Sequence, residues 1–281
     1  MASVLTNDHP DFDLLVVDQS NDDSTKLALA DFEADDRFRY VHLDRVGLSH
    51  AYNFGIALSS GPLMAFTDDD CVAPTDWLRT IEDAFDRHPD VDMLYGQTLA
   101  APDLRGAPGV LPALPIPRER KLSKTDGFQV FGMGANFAMR RSLIDRVGGF
   151  DEALGGGGPL RSSQDFDQVY RVYKAGAACL LSPSVWVHHY GIREGQAWTD
   201  TMRAYGIGDG AFYLKHIRCG DLEAARMLIA RMARLFLREV RKGLARKPME
   251  WVYLRSYLTG MRLSLRYSID RRKRLYKLGS Y

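Results

Sequence analysis

Three adjacent aspartates, Asp68, Asp69 and Asp70, close an apolar run, "GPLMAFTDDDC". Carboxylates this close raise one another's pKa, so the stretch is either a solvated acidic turn or a seat for a cation. Two carboxylates one residue apart at a strand end suit a hard divalent ion. Mg²⁺ and Mn²⁺ take oxygen ligands and share them with a substrate's phosphates. The stretch is no EF-hand loop, which needs a glycine and a bidentate glutamate at fixed offsets. Asp18 ends another apolar run, "FDLLVVDQS"; Asp165 and Asp167 open "QDFDQVYRVYKAG"; His188 and His189 end "SPSVWVHH". Neighbouring side chains on a strand point to opposite faces, so at most one of the two histidines joins a site there. A zinc centre built on the pair would need further spaced ligands, and none accompany it.

The elements that must position these groups follow from periodicity. Residues 12–20 read as a buried strand, 21–35 as a capped helix and 38–44 as a strand. Residues 47–61 read as a helix ended by Gly61, 62–70 as a strand, 74–90 as a helix and 91–100 as a strand. That β-α-β-α-β-α-β order predicts an α/β fold, a mainly parallel sheet flanked by helices. Sites in such sheets lie beyond the carboxyl ends of the strands, where Asp18 and Asp68–Asp70 would both sit. A Pro- and Gly-rich loop follows over 101–127. A strand and helix come next, then four glycines at 155–158, which read as a loop hinge or a plain connector. A helix over 162–176 carries Asp165 in its first turn, and a strand ends at the histidines. From about residue 198 the pattern is helical and basic.

The composition is that of a globular protein, with 46% hydrophobic and 26% charged residues among 281. Net charge is only +1. It is unevenly spread: residues 221–281 hold about 16 Lys/Arg against about 5 Asp/Glu, about +11 net, leaving about −10 for the rest. A basic tail on an acidic body points to an anionic surface as its partner. No nucleic-acid motif accompanies the charge, so nucleic acid is not the expected partner. Cys71, Cys179 and Cys219 are few, odd in number and without a CxxC pair, which argues for reduced thiols in a cytoplasmic setting. No signal peptide and no apolar run of about 18 residues is present.

Five stretches, taken in order, resemble the family 2 glycosyltransferases: "LLVVDQSNDDST", "GLSHAYNFGIALSSGPLMAFTDDDC", "GANFAMRRSLIDRVGGFDE", "SSQDFDQVYRVYKAG" and "SPSVWVHH". They span residues from about 3 to 190. The resemblance implies the GT-A fold over residues 1–197, with a helical basic extension over 198–281. It implies an inverting transfer of a sugar from a nucleotide-diphosphate sugar to an acceptor hydroxyl, in cell-surface polysaccharide or glycolipid synthesis. Asp68 and Asp70 would then be the metal-binding Asp-x-Asp pair, with Mn²⁺ or Mg²⁺ as cofactor. His188 is the favoured third metal ligand. Asp18, Gln19, Asp68, Asp69 and Asn136 would contact the nucleotide sugar. Asp165 would be the catalytic base; Gln164 stands where the family usually has Glu, and Asp167 is the weaker alternative base. The Gln-x-x-Arg-Trp motif of processive members is absent, which favours transfer of a single sugar.

The chain departs from the family at its start. Members open with an apolar strand and a turn such as "IPTYNR", whereas this chain begins "MASVLTNDHPDFDLLVVD". The expected consequence is an open slot or exposed apolar edge beside the Asp18 strand. The alternative function is accordingly a non-catalytic or impaired nucleotide-sugar-binding remnant. In the tail, Leu222, Ala225, Ile229, Met232, Leu235, Phe236 and Val240 share one face of a helix over 221–247. That helix either packs on the domain with a solvated basic face or rests on anionic lipid at the inner face of the membrane, where a lipid-linked acceptor would lie.

Overall fold

The computed structural model describes residues 1–104, 106–128, 132–241 and 248–279. Two compact units emerge. One comprises Met1–Val46, His50–Phe150 and Gln168–Glu194; the other comprises Gly47–Ser49, Asp151–Asp167 and Gly195–Tyr281. The second therefore takes in the segment Asp151–Asp167, which the sequence reading keeps with the first 197 residues.

The first unit runs α1 (Ala2–Leu5), β1 (Leu14–Asp18), α2 (Ser24–Leu29), β2 (Phe38–His42), α3 (Leu48–Leu58), β3 (Leu63–Thr67), β4 (Cys71–Val72) and α4 (Trp77–Arg87). It continues with β5 (Val91–Ala100), β6 (Arg120–Leu122), β7 (Asn136–Arg140), α5 (Arg141–Val147), α6 (Gln164–Lys174), whose first turn up to Asp167 belongs to the second unit, and β8 (Ala178–His189). The main sheet has the order β3-β7-β5-β8-β4, with β6 also on β8. It is mixed. β5 and β8 are parallel, but β7 enters antiparallel between β3 and β5. The chain reaches β7 from β5 through a loop without a crossover helix, and only such a crossover would bring it back parallel. β3, β5 and β8 still point the same way, so the Asp68 turn and the His189 end share one edge of the sheet.

Strand alternation divides the core into two layers. Met93 and Tyr95 of β5 pack with Phe137, Met139, Leu143 and Val172 on one face. Leu94 packs with Ala138, Leu180, Val187 and the α4 residues Trp77, Ile81, Ala84 and Phe85 on the other. The α4 set recurs at helical spacing, so that helix has one buried stripe.

β1 and β2 form a separate parallel ladder, with Val16 opposite Tyr40 and Asp18 opposite His42. Among the described residues β1 pairs with β2 alone, and this ladder is not joined to the six-stranded sheet. The side chains of Leu14–Val17 are half-buried.

The second unit holds α7 (Gly195–Arg218), α8 (Leu222–Arg241), α9 (Pro248–Ser264) and a hairpin of β9 (Ser268–Asp270) and β10 (Leu275–Lys277). Residues 242–247 of the expected tail helix lie outside the described residues. α7 and α9 approach backbone to backbone. A Cβ at Gly210 would overlap the Tyr257 carbonyl, and one at Gly260 would overlap that of Ile207. No described helix is long and apolar enough to cross a membrane.

Candidate active site

The three aspartates form the turn between β3 and β4. The Cys71 N–H donates to the Asp68 carbonyl at 3.2 Å, and the Tyr190 N–H donates to the Asp70 carbonyl at 2.8 Å. Cys71 lies opposite His189 across the β4–β8 pair. This register brings His189 Nε2 to 3.4 Å from Asp70 Oδ1. Ligand atoms of Asp70, Cys71 and His189 all lie within 4.8 Å of one another. Asp69 is exposed at the tip of the turn and Asp68 is half-buried.

The favoured histidine is thus corrected. His189, not His188, meets Asp70. Along β8 the buried positions alternate through Val185, Val187 and His189, while His188 shares the other face with Trp186, its ring 4.9 Å away. His189 is only 3% exposed and its Nδ1 is buried with no hydrogen-bond partner. A buried, orphaned imidazole nitrogen beside a carboxylate is a donor set that a divalent cation fits. Burial, then the charges of Asp68 and Asp70, push the Cys71 thiol up to about 12. Oxygen and imidazole are the donors suited to Mn²⁺, a thiolate being the softer ligand. Gly191 closes the site: a side chain there would overlap Asp70 Oδ2 and come within 2.8 Å of His189 Cε1.

Asp18 ends β1 and is 7% exposed. It accepts hydrogen bonds from the Ser20 N–H at 2.9 Å, the Ser20 hydroxyl at 2.8 Å and the Tyr40 hydroxyl at 2.7 Å. Burial pulls its pKa up, but these donors and the nearby His42 hold it below the ordinary value, so it is an anion in place. The same hydrogen bond pushes the Tyr40 phenol up to about 12. Tyr40 escaped the sequence reading, because only the β1–β2 register brings it to Asp18. Gln19 turns its amide to the Arg45 carbonyl at 2.6 Å, tying the end of β1 to the loop after β2.

Asn136 is a second correction. Its side chain is fully buried, with its amide engaged inside the fold. Its Oδ1 accepts from Trp77 Nε1 at 3.1 Å, and its Nδ2 donates to the carbonyls of Gln97 at 2.9 Å and Val185 at 3.3 Å. The β5–β8 ladder shifts register between Gly96 and Gln97, where β8 bulges past Pro183. Asn136 supplies the donors that the interrupted ladder lacks.

In the second unit Asp165 sits half-buried in the first turn of α6, its Oδ1 accepting the Phe166 N–H at 2.8 Å. The segment entering α6 is strained: Arg161 and Ser163 have φ of 71° and 69°. The Ser163 hydroxyl donates to Asp209 of α7 at 2.8 Å. A Cβ on Gly208 would come within 2.6 Å of Ser162, so α7 lies directly against this segment. Asp167 has a different place. It is fully buried, 2.5 Å from Lys215 Nζ and 2.9 Å from His216 Nε2. Lys215 also reaches Asp151 at 2.6 Å, and Asp151 accepts the Tyr276 N–H at 2.9 Å. Asp167 is therefore an internal counterion, whereas Asp165 is only half-buried.

Residues 1–148 match the family model described as Glycosyl transferase family 2. A glucosyl-dolichyl phosphate glucuronosyltransferase of Haloferax volcanii is 26% identical over 160 residues, 55% of this chain and 51% of that protein. The chain thus spans about half the length of that curated relative. Among solved structures, the mannosyltransferase PcManGT from Pyrobaculum calidifontis in complex with GDP-Man and Mn²⁺ superposes with a TM-score of 0.59 at 19% identity, over 93% of this chain and 80% of that one. S. aureus TarS 1-349 in complex with UDP-GlcNAc gives 0.54 at 16% identity, over 74% and 61%. At these identities the likeness shows the fold, the GT-A arrangement.

Proposed function

The chain belongs to glycosyl transferase family 2 and is a glycosyltransferase, and from that premise we propose that it moves one sugar from a nucleotide-diphosphate sugar to an acceptor hydroxyl with inversion. The observation that carries this reading is the Asp70–His189 pair, with its orphaned imidazole nitrogen, beside the acidic turn at the carboxyl end of β3. Asp70 and His189, with Asp68, would hold Mn²⁺ or Mg²⁺. That ion would stabilise the charge gathering on the leaving nucleoside diphosphate. The Mn²⁺ in the PcManGT complex supports the choice of a divalent ion. Asp18, held ionised by Ser20 and Tyr40, would bind the nucleoside, with Gln19 fixing the adjoining loop and Asp69 near the diphosphate.

Asp165 would take the proton of the acceptor hydroxyl as its oxygen attacks the anomeric carbon. It sits in the first turn of α6, at the positive end of the helix dipole. The relative's name points to a lipid-linked acceptor. We place the work at the cytoplasmic face of a membrane, in glycolipid or surface-polysaccharide synthesis. A second reading, an impaired nucleotide-sugar-binding remnant, draws on the break between the β1–β2 ladder and the main sheet. Release of nucleoside diphosphate from a panel of nucleotide sugars separates the two. The transferase reading expects one donor to turn over with Mn²⁺ and to stop with EDTA; a folded chain that turns over none favours the remnant.

Gly191→Ala tests the site's packing. The added methyl displaces the Asp70 carboxylate, and Mn²⁺ affinity is expected to fall about 10- to 100-fold with the fold intact. Mn²⁺ titration followed by electron paramagnetic resonance reads this directly; unchanged affinity would remove Asp70 from the ligand set.

A further inference from the structure

The C-terminal helices turn apolar side chains to solvent. On α9, Trp251, Leu258 and the adjoining Leu265 are 48%, 63% and 62% exposed at seven-residue intervals. Arg255, Arg262 and Arg266 are exposed between and beside them. At about 100° per residue the four on α9, Trp251, Arg255, Leu258 and Arg262, fall within roughly 60° of arc, and Leu265 and Arg266 follow in the turn after it. Tyr253, Tyr257 and Gly260, on the opposite side, are the buried contacts with α7. α8 repeats the composition. Leu222, Ile229 and Leu237 are exposed with Arg226 and Arg234, while Ala224 is buried and Arg231 turns inward to Asp209 at 2.7 Å. Of the face that the sequence reading marks as apolar on this helix, Leu222 and Ile229 are exposed and Ala225, Met232 and Leu235 are half-buried, while the side chains of Phe236 and Val240 lie outside the described ones.

We infer that the outward face of α9 is a membrane-contact surface that lies on anionic phospholipid, a reading that deepens the lipid-linked acceptor proposed above. Trp251, Leu258 and Leu265 enter the acyl boundary, and the arginines bind headgroup phosphates from the same face. The interleaving of the two residue types selects this occupant. A second copy of the chain packed face to face across a two-fold axis would bring the arginine rows against each other with no acidic partner on the stripe. The surplus positive charge of residues 221–281 supplies long-range attraction to an anionic surface.

The test is co-sedimentation of the full chain with phosphatidylcholine vesicles, with and without phosphatidylglycerol. Binding is expected only with phosphatidylglycerol, weakening with salt, and accompanied by a blue shift of tryptophan emission. Leu258→Glu with Leu265→Glu, two exposed substitutions that spare the fold, should reduce vesicle affinity tenfold or more. Arg255→Glu with Arg262→Glu should abolish the phosphatidylglycerol preference. Failure to bind anionic vesicles, or binding unchanged in the leucine pair, overturns the inference. So does a dimer in solution that the leucine pair dissolves. Nucleotide binding measured on the same samples keeps the two proposals apart: vesicle binding without nucleotide binding retains this surface and removes the donor site.

Discussion

If Asp165 is the proposed general base, Asp165→Asn is expected to lower the rate of sugar transfer about 10²- to 10⁴-fold, the usual contribution of such a group, and to leave nucleotide affinity unchanged. The carboxamide has the same shape as the carboxylate, and its oxygen can still accept the Phe166 N–H. What it would lose is the proposed ability to take a proton from the acceptor. Its neighbours cannot substitute: Gln164 is itself an amide, and Asp167 is fully buried against Lys215 and His216. Single-turnover kinetics with the acceptor, beside nucleotide titration, separates the two quantities. A variant that transfers at the parent rate would assign the base elsewhere; one that also loses nucleotide binding would make Asp165 a structural residue.

Lys215→Met costs about 3–5 kcal/mol of stability, because it leaves the Asp151 and Asp167 carboxylates buried without their shared ammonium. For a chain of this size that corresponds to a fall of roughly 5–8 °C in Tm. The expected loss includes the geometry at Asp165, since Asp167 sits two residues along the same helix. A pH series examines the same network. Burial pushes His216 down to about 4, against the pull of Asp167. It is neutral, donating from Nε2 to Asp167 and accepting from Arg274 Nη1 at 3.3 Å on Nδ1. As pH falls below the ordinary histidine value of about 6.5, the unfolded chain takes up this proton before the folded one. Stability is therefore lost between about 6.5 and 4, by about 2 kcal/mol at pH 5, and is unaffected by this group above 6.5. Thermal melts from pH 7 to 5 should show this slope, and His216→Gln should flatten it; equal slopes would mean that His216 is protonated in the fold.

The acidic turn, Asp18 and the helix carrying Asp165 are legible in the sequence because each lies at a boundary between apolar periodicity and turn residues. The choice between His188 and His189 is not. It depends on the phase of β8, which the pairing of Cys71 with His189 sets. Asn136 reads as a site residue because it begins a recognisable stretch. Its real task, bridging carbonyls at the β8 bulge, depends on a register shift between strands far apart in sequence. The reversal of β7 is hidden for the same reason. Lys215 and His216 look like ordinary charges at the end of a long helix, and nothing local indicates that Asp151 and Asp167 await them. The glycines of "YGIGDG" do carry a readable signal: Gly206 and Gly210, one turn apart, mark where α9 approaches α7. The β9–β10 hairpin, by contrast, lies in a stretch whose basic residues read as more helix.

On the reading proposed here, the aspartate turn and His189 hold a cation that in turn holds a nucleotide. Titration calorimetry of the chain with UDP, GDP and dTDP, with and without Mn²⁺ and with Asp70→Ala alongside, tests it most directly. One diphosphate is expected to bind only when Mn²⁺ is present, and Asp70→Ala is expected to abolish the binding. Binding indifferent to both the metal and the substitution, or no binding by a folded chain, would contradict it.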